Sequence, residues 1–119
     1  MFKINENNEV FLTKGDTAHF TVAFTDEQGD PYDMSDDIVK FGMKRSAYDK
    51  ECVLVKDIDS STGQFTIDAE DTENMEFGDY LYSIQIKHTI EGETEEDEDV
   101  VEVYTPIAAV KFSIGFDIL

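Results

Sequence analysis

The sequence predicts an all-β fold, an antiparallel sandwich of two sheets with about seven to nine strands and at most one short helix. Three observations predict it. Residues 80–87 alternate without a break, with Tyr80, Tyr82, Ile84 and Ile86 on one side and Leu81, Ser83, Gln85 and Lys87 on the other. That period of two is the pattern of a strand with one buried face. The same alternation returns in residues 18–24, 38–45 and 110–116, and clusters of Gly, Asp, Asn and Ser punctuate the intervals.

The segment 75–86 organises the rest. Gly78 suits a chain turning into a strand, because it reaches backbone angles a Cβ resists. Tyr80 stands at the strand's start, where its ring can be buried while its hydroxyl bonds backbone across the turn. Gly78, Tyr80 and Tyr82 therefore match the tyrosine corner of immunoglobulin-like sandwiches, with Tyr82 in the core position two residues on. The expected fold is the immunoglobulin-like antiparallel β-sandwich.

In order, Phe2 with Ile4 and then residues 10–12 make two short strands around a turn at Asn7 and Asn8. A turn at Lys14–Asp16 feeds a strand with Ala18, Phe20, Val22 and Phe24 inward and His19 outward. Gly29 and Pro31 end that pattern. Residues 34–37 form one helical turn or a plain loop. The next strand buries Val39, Phe41 and Met43, and Lys40, Lys44 and Arg45 gather three bases. Residues 52–58 are read as a strand beginning at Cys52, a small buried hydrophobe, and residues 64–69 pair back on it as a hairpin through Gly63. Residues 70–74 carry one or two turns of helix between the sheets. Residues 91–99 hold seven acids in nine positions, which no buried element accommodates, so they form an exposed hairpin tip. The return strand is interrupted by Pro106, as at an edge or bulge. Val110, Phe112, Ile114 and Phe116 then face inward to the end.

At 119 residues the chain reads as a single domain, residues 1–119. It has 28 acids against 9 bases, a net charge of -19. That balance argues against direct nucleic-acid binding, which needs a basic stripe to release counterions, and against anionic membranes. It permits a basic protein partner, a cation or mimicry of nucleic-acid charge, beside plain solubility. Cys52 is the only cysteine, so no intrachain disulfide or multi-cysteine metal site is expected. No secretory leader or spanning segment is evident, and the chain is expected to be made in the cytosol.

Catalytic, cofactor and metal sites are expected to be absent. Asp57, Asp59 and Ser61 begin like a calcium loop, but Gly63 falls one place late and Asp68 stands where a Glu belongs. His19 and His88 lack metal-site spacing, and no nucleophile elbow or phosphate loop occurs. The candidate partner-binding residues are Glu93, Glu95, Glu96, Asp97 and Glu98 in the acidic tip. Tyr32, Tyr48 and Tyr104 are the aromatic candidates for a glycan surface.

Several segments in order carry a resemblance: Lys14-Gly15-Asp16-Thr17-Ala18-x-Phe20, Phe24-Thr25-Asp26-x-x-Gly29-x-Pro31-x-Asp33-Met34-Ser35, Val39-x-Phe41, Thr62-Gly63-Gln64-Phe65-Thr66-Ile67, Asp71-Thr72, Gly78-x-Tyr80-x-Tyr82-x-Ile84 and Phe112-Ser113-Ile114-x-x-Asp117-Ile118. Together they resemble the small β-sandwich modules of tailed bacteriophages, such as the N-terminal module of upper baseplate proteins. The chain departs from the pattern at Val110, where the family often has Gly, and in its heavier acidic tip. The resemblance implies a phage or prophage structural or accessory protein of the tail or baseplate. Such a protein is made in the host bacterial cytoplasm, is incorporated into the virion, and binds itself or other virion proteins. Two other readings stay open: an acidic inhibitor that mimics nucleic-acid charge against a basic host protein, and a glycan-binding sandwich.

Overall fold

The computed structural model describes residues 2–94 and 96–116. Eight strands and one helical turn follow in order: β1 (Phe2–Ile4), β2 (Val10–Thr13), β3 (Ala18–Thr21), β4 (Ile38–Lys44), β5 (Leu54–Ile58), β6 (Gln64–Ile67), α1 (Ala69–Glu73), β7 (Gly78–Ile90) and β8 (Val100–Gly115). The fold is all-β. Six strands form one sheet in the order β1-β2-β8-β7-β4-β5, and β3 and β6 form a second.

The alternating residues close the core. Val39, Phe41 and Met43 of β4, Tyr80, Tyr82, Ile84 and Ile86 of β7, and Phe112 and Ile114 of β8 are all buried. The small sheet meets them through Phe65, whose ring stacks on Phe20 at 4.9 Å and lies 5.1 Å from Phe41. Burying each such side chain contributes about 1.5–3 kcal/mol, so this aromatic seam dominates the cohesion of the two sheets.

Several expectations are corrected. The large sheet is mixed, not antiparallel, because β2 runs parallel to β8 from Val10↔Phe112 to Thr13↔Gly115. β5 and β6 do not form a hairpin. β5 pairs with β4 and β6 with β3, so the connection carries the chain from one sheet to the other. The turn is tight nonetheless: Asp59 N donates to Gln64 O at 3.0 Å and Gly63 N to Asp59 O at 2.6 Å. Gly63 has φ +77°, and a Cβ there would stand 2.1 Å from the Val22 carbonyl oxygen. Only glycine lets the loop after β3 approach that closely.

Cys52 is exposed, since β5 starts only at Leu54. The strand after the Lys14–Asp16 turn stops at Thr21, although Val22 and Phe24 still pack against the core. Residues 34–37 form a turn closed by Asp37 N donating to Met34 O at 2.9 Å. Phe116 is 68 % exposed and stacks on Phe77 rather than facing inward. Asp117, Ile118 and Leu119 lie outside the described residues. Residues 69–73 are helical where a short helix is expected, and the turn links β6 in the small sheet to β7 in the large one.

Candidate functional site: the β7–β8 arm

β7 and β8 pair over their whole length, from Gly78↔Ile114 to Ile90↔Val100. Their neighbours stop sooner. β4 accompanies β7 only to Lys87, paired with Ile38, and β2 meets β8 only from Phe112 onward. Beyond Lys87 the two strands therefore leave the body as a free ribbon, and the molecule measures 60 × 31 × 22 Å.

Two irregularities bend β8 on its way out. Between Tyr82↔Val110 and Ile84↔Ile107, and again between Ile84↔Ile107 and Ile86↔Tyr104, β8 spends one more residue than β7. Such bulges sharpen a strand's twist and re-aim it. Ala109 takes φ +53° in the first, and its N–H donates to Ser83 Oγ at 2.9 Å. Pro106 lies in the second, where its missing donor breaks no ladder bond.

A polar cluster holds the arm's base. Asp37 is buried, and its two carboxylate oxygens take Tyr32 Oη at 2.6 Å and His88 Nδ1 at 2.7 Å. The bond to Asp37 and its charge, with Glu102 adding to them, push the His88 pKa up, against the effect of burial. Burial and the same carboxylate raise Tyr32. Tyr104 bonds Glu102, which raises its pKa as well. The rings of Tyr32 and Tyr104 meet edge to face at 6.3 Å. With Phe24, Gln28 and Ile86 they line an open groove of about 630 Å³ under the arm. Sequence reasoning missed Asp37, because nothing local distinguishes it among 28 acids. The usable signal was His88 continuing the inward row of β7, since a histidine there needs a partner.

At the far end the chain reverses over residues 91–99. Gly92 N donates to Asp99 Oδ1 at 3.0 Å and Asp97 N to Thr94 O at 3.1 Å. Glu93, Glu96, Asp97 and Glu98 are exposed there, and Glu95 lies outside the described residues. None of the ion pairs among the described residues reaches this tip. Just behind it the arm exposes Ile90, Val100, Val101 and Val103, each at least 44 % accessible.

Gly78, Tyr80 and Tyr82 sit at the opposite end of β7. Tyr80 Oη donates to Glu76 O at 2.7 Å, four residues upstream, and Arg45 covers its ring at 4.6 Å. Tyr82 Oη donates to Asn8 O at 2.5 Å, tying the first turn to the sheet, and burial pushes its pKa up. These residues orient the root of the arm and do not join its tip.

The remaining candidates are dispersed. Tyr48 is 96 % exposed on the β4–β5 loop, away from Tyr32 and Tyr104. Asp59 accepts from the backbone and hydroxyl of Ser61, which holds its pKa down, while Asp57 pairs with Lys40 at 3.7 Å. Among the described residues no group of His, Cys, Asp and Glu is arranged to hold a metal, and no helix is long and apolar enough to cross a membrane. No family model, curated protein or solved structure matches the chain significantly.

Proposed function

We propose that this chain is a phage or prophage structural or accessory protein, an assembly module of the virion tail or baseplate that works by protein–protein contact on an immunoglobulin-like scaffold. The scaffold reading is supported by strand order. β8-β7-β4-β5 follows the G-F-C-C′ order of that fold, and β3 with β6 takes the place of B with E. The Tyr80 bond to Glu76 has the form of the tyrosine corner.

The observation that carries the functional reading is the arm. A two-stranded ribbon that outruns its sheet exposes apolar residues on both faces and collects acids at its tip. Isolated ribbons are marginal in water, and contiguous exposed apolar surface marks an interaction site. An arm of this kind gains stability by lying on another protein, and its carboxylates favour a basic seat and fast, salt-sensitive encounter. The chain would be made in the host cytoplasm and taken into the particle with its neighbours.

Immunogold labelling of purified particles with antibody to the chain tests this reading. Gold at the tail or baseplate supports it. Unlabelled particles from cells that express the chain overturn it.

A further inference from the structure

We propose that the outer face of the six-stranded sheet is the seat for the β7–β8 arm of a second copy, so that copies join arm to face. The inference rests on the assembly reading above and names the contact.

The seat is built by strand register. Gly42 lies at the middle of the outer face, opposite Val55 on one side and Ser83 on the other. The Cys52 thiol lies over Gly42, 3.2 Å from where a Cβ would stand, and beside them opens a hollow of about 370 Å³, walled by Val55 and Leu81 and flanked by Lys40 and Lys44. Lys87 and Lys111 stand on the same face, Lys87 between Ile38 and the arm's Val103, where seat and arm adjoin, and Lys111 opposite Leu81. Four of the chain's 9 bases thus share one surface of a protein with 28 acids. Among the described residues the ion pairs they make, Lys40 with Asp57 at 3.7 Å and Lys111 with Glu9 at 3.8 Å, involve half-exposed lysines. Exposed pairs of this kind are weak and exchange readily for new ones.

The arm is the complement of this seat. Behind its tip it carries exposed Val101 and Val103 to fill an apolar hollow, and its tip carries carboxylates to meet a lysine rim. The arm cannot reach its own seat, because β7 and β8 are strands of that same sheet and run outward past its end. Like patches are kept apart by charge: face on face sets lysine against lysine, and tip on tip sets acid against acid. Only arm on face joins opposite charges and covers apolar surface at both ends. Such a contact closes a two-fold pair when each copy lays its arm on the other's face, and otherwise runs one way into a ring or a filament.

Complementation of two variants tests it in sedimentation velocity at constant salt. The face variant is Lys40→Glu with Lys44→Glu, backed by the milder Lys40→Gln with Lys44→Gln should the first lower the melting temperature. The arm variant is Val101→Ser with Val103→Ser, at exposed positions outside the core. The wild-type chain is expected to self-associate, and each variant alone to do so roughly tenfold more weakly or worse. A 1:1 mixture is expected to form a heterodimer and stop there, because one intact arm then meets one intact face. A monomeric wild-type chain, a variant that assembles like wild type, or a mixture that stays monomeric overturns the proposal. A chain found in particles but monomeric alone would sink this contact and leave the assembly reading. A chain that assembles but is absent from particles would do the reverse.

Discussion

Replacing Gly63 with alanine tests how the two sheets are joined. Two effects add at this position. The backbone sits at φ +77°, where an L residue loses roughly 1–2 kcal/mol. The new Cβ would also lie 2.1 Å from the Val22 carbonyl oxygen, far inside contact distance. Relief requires the loop after β3 to retreat, which breaks the bond from Val22 N to Gly63 O, 2.8 Å long and worth about 1 kcal/mol net. Against this, alanine stiffens the unfolded chain and returns roughly 0.4–1 kcal/mol. The expected loss is about 1–2.6 kcal/mol. Gly29→Ala is the control: its φ is +83° with nothing within 4 Å of the added Cβ, so it should lose about 0–1.6 kcal/mol. Urea unfolding followed by circular dichroism measures both. A gap of about 1 kcal/mol, the share of the lost Val22–Gly63 bond, corresponds to a melting temperature lower by roughly 3–6 °C in a domain of this size. Equal losses for the two variants would refute the close approach of the β3 and β5–β6 loops.

Other outcomes follow from the same structure. Tyr80→Phe keeps the ring under Arg45 but deletes the bond to Glu76 O, and should destabilise by about 1 kcal/mol in urea unfolding. His88 has a raised pKa when folded, so its bond to Asp37 stabilises fully below the unfolded value of about 6.5 and fades as pH rises through the folded value. Thermal melts from pH 5 to 9 should therefore lose a decline on the alkaline side when His88→Gln is introduced. Replacing Glu93, Glu96, Asp97 and Glu98 with Gln or Asn should weaken association in light scattering while leaving the melting temperature unchanged or slightly higher, because like charges are removed. Should the groove at Tyr32 and Tyr104 take sugars, a glycan array would register binding that Tyr104→Ala abolishes; silence on the array removes that reading.

What the sequence reveals is burial, strand by strand. Tyr80, Tyr82, Ile84 and Ile86 declare their face because one side of β7 is packed and the other is not. The acidic run could only be a tip, since seven carboxylates have no place in a core. Pairing is different, because alternation says which face is buried and not which strand lies alongside. The turn at Asp59, Ser61 and Gly63 has the same chemistry whether its strands pair or part, so β5 and β6 read as a hairpin although they enter different sheets. The parallel contact of β2 with β8 joins residues about a hundred positions apart and leaves no local trace. Cys52 and Phe116 sit at the ends of apolar runs, where one residue more or less of strand decides burial. The clasp at Asp37 joins residues 51 apart in sequence, and only the histidine at the end of an inward row hinted at it.

We infer that this chain works by assembling. The mass of the purified chain, taken by light scattering during size exclusion at low and high salt, tests it most directly. The net charge of -19 opposes self-association until salt screens it, so both conditions are needed. Association is expected in at least one of them, with a defined mass where the contact closes and a growing series where it runs on. A strict monomer at both salts that forms a stable 1:1 complex with a basic DNA-binding protein would contradict it and favour the charge-mimicking inhibitor.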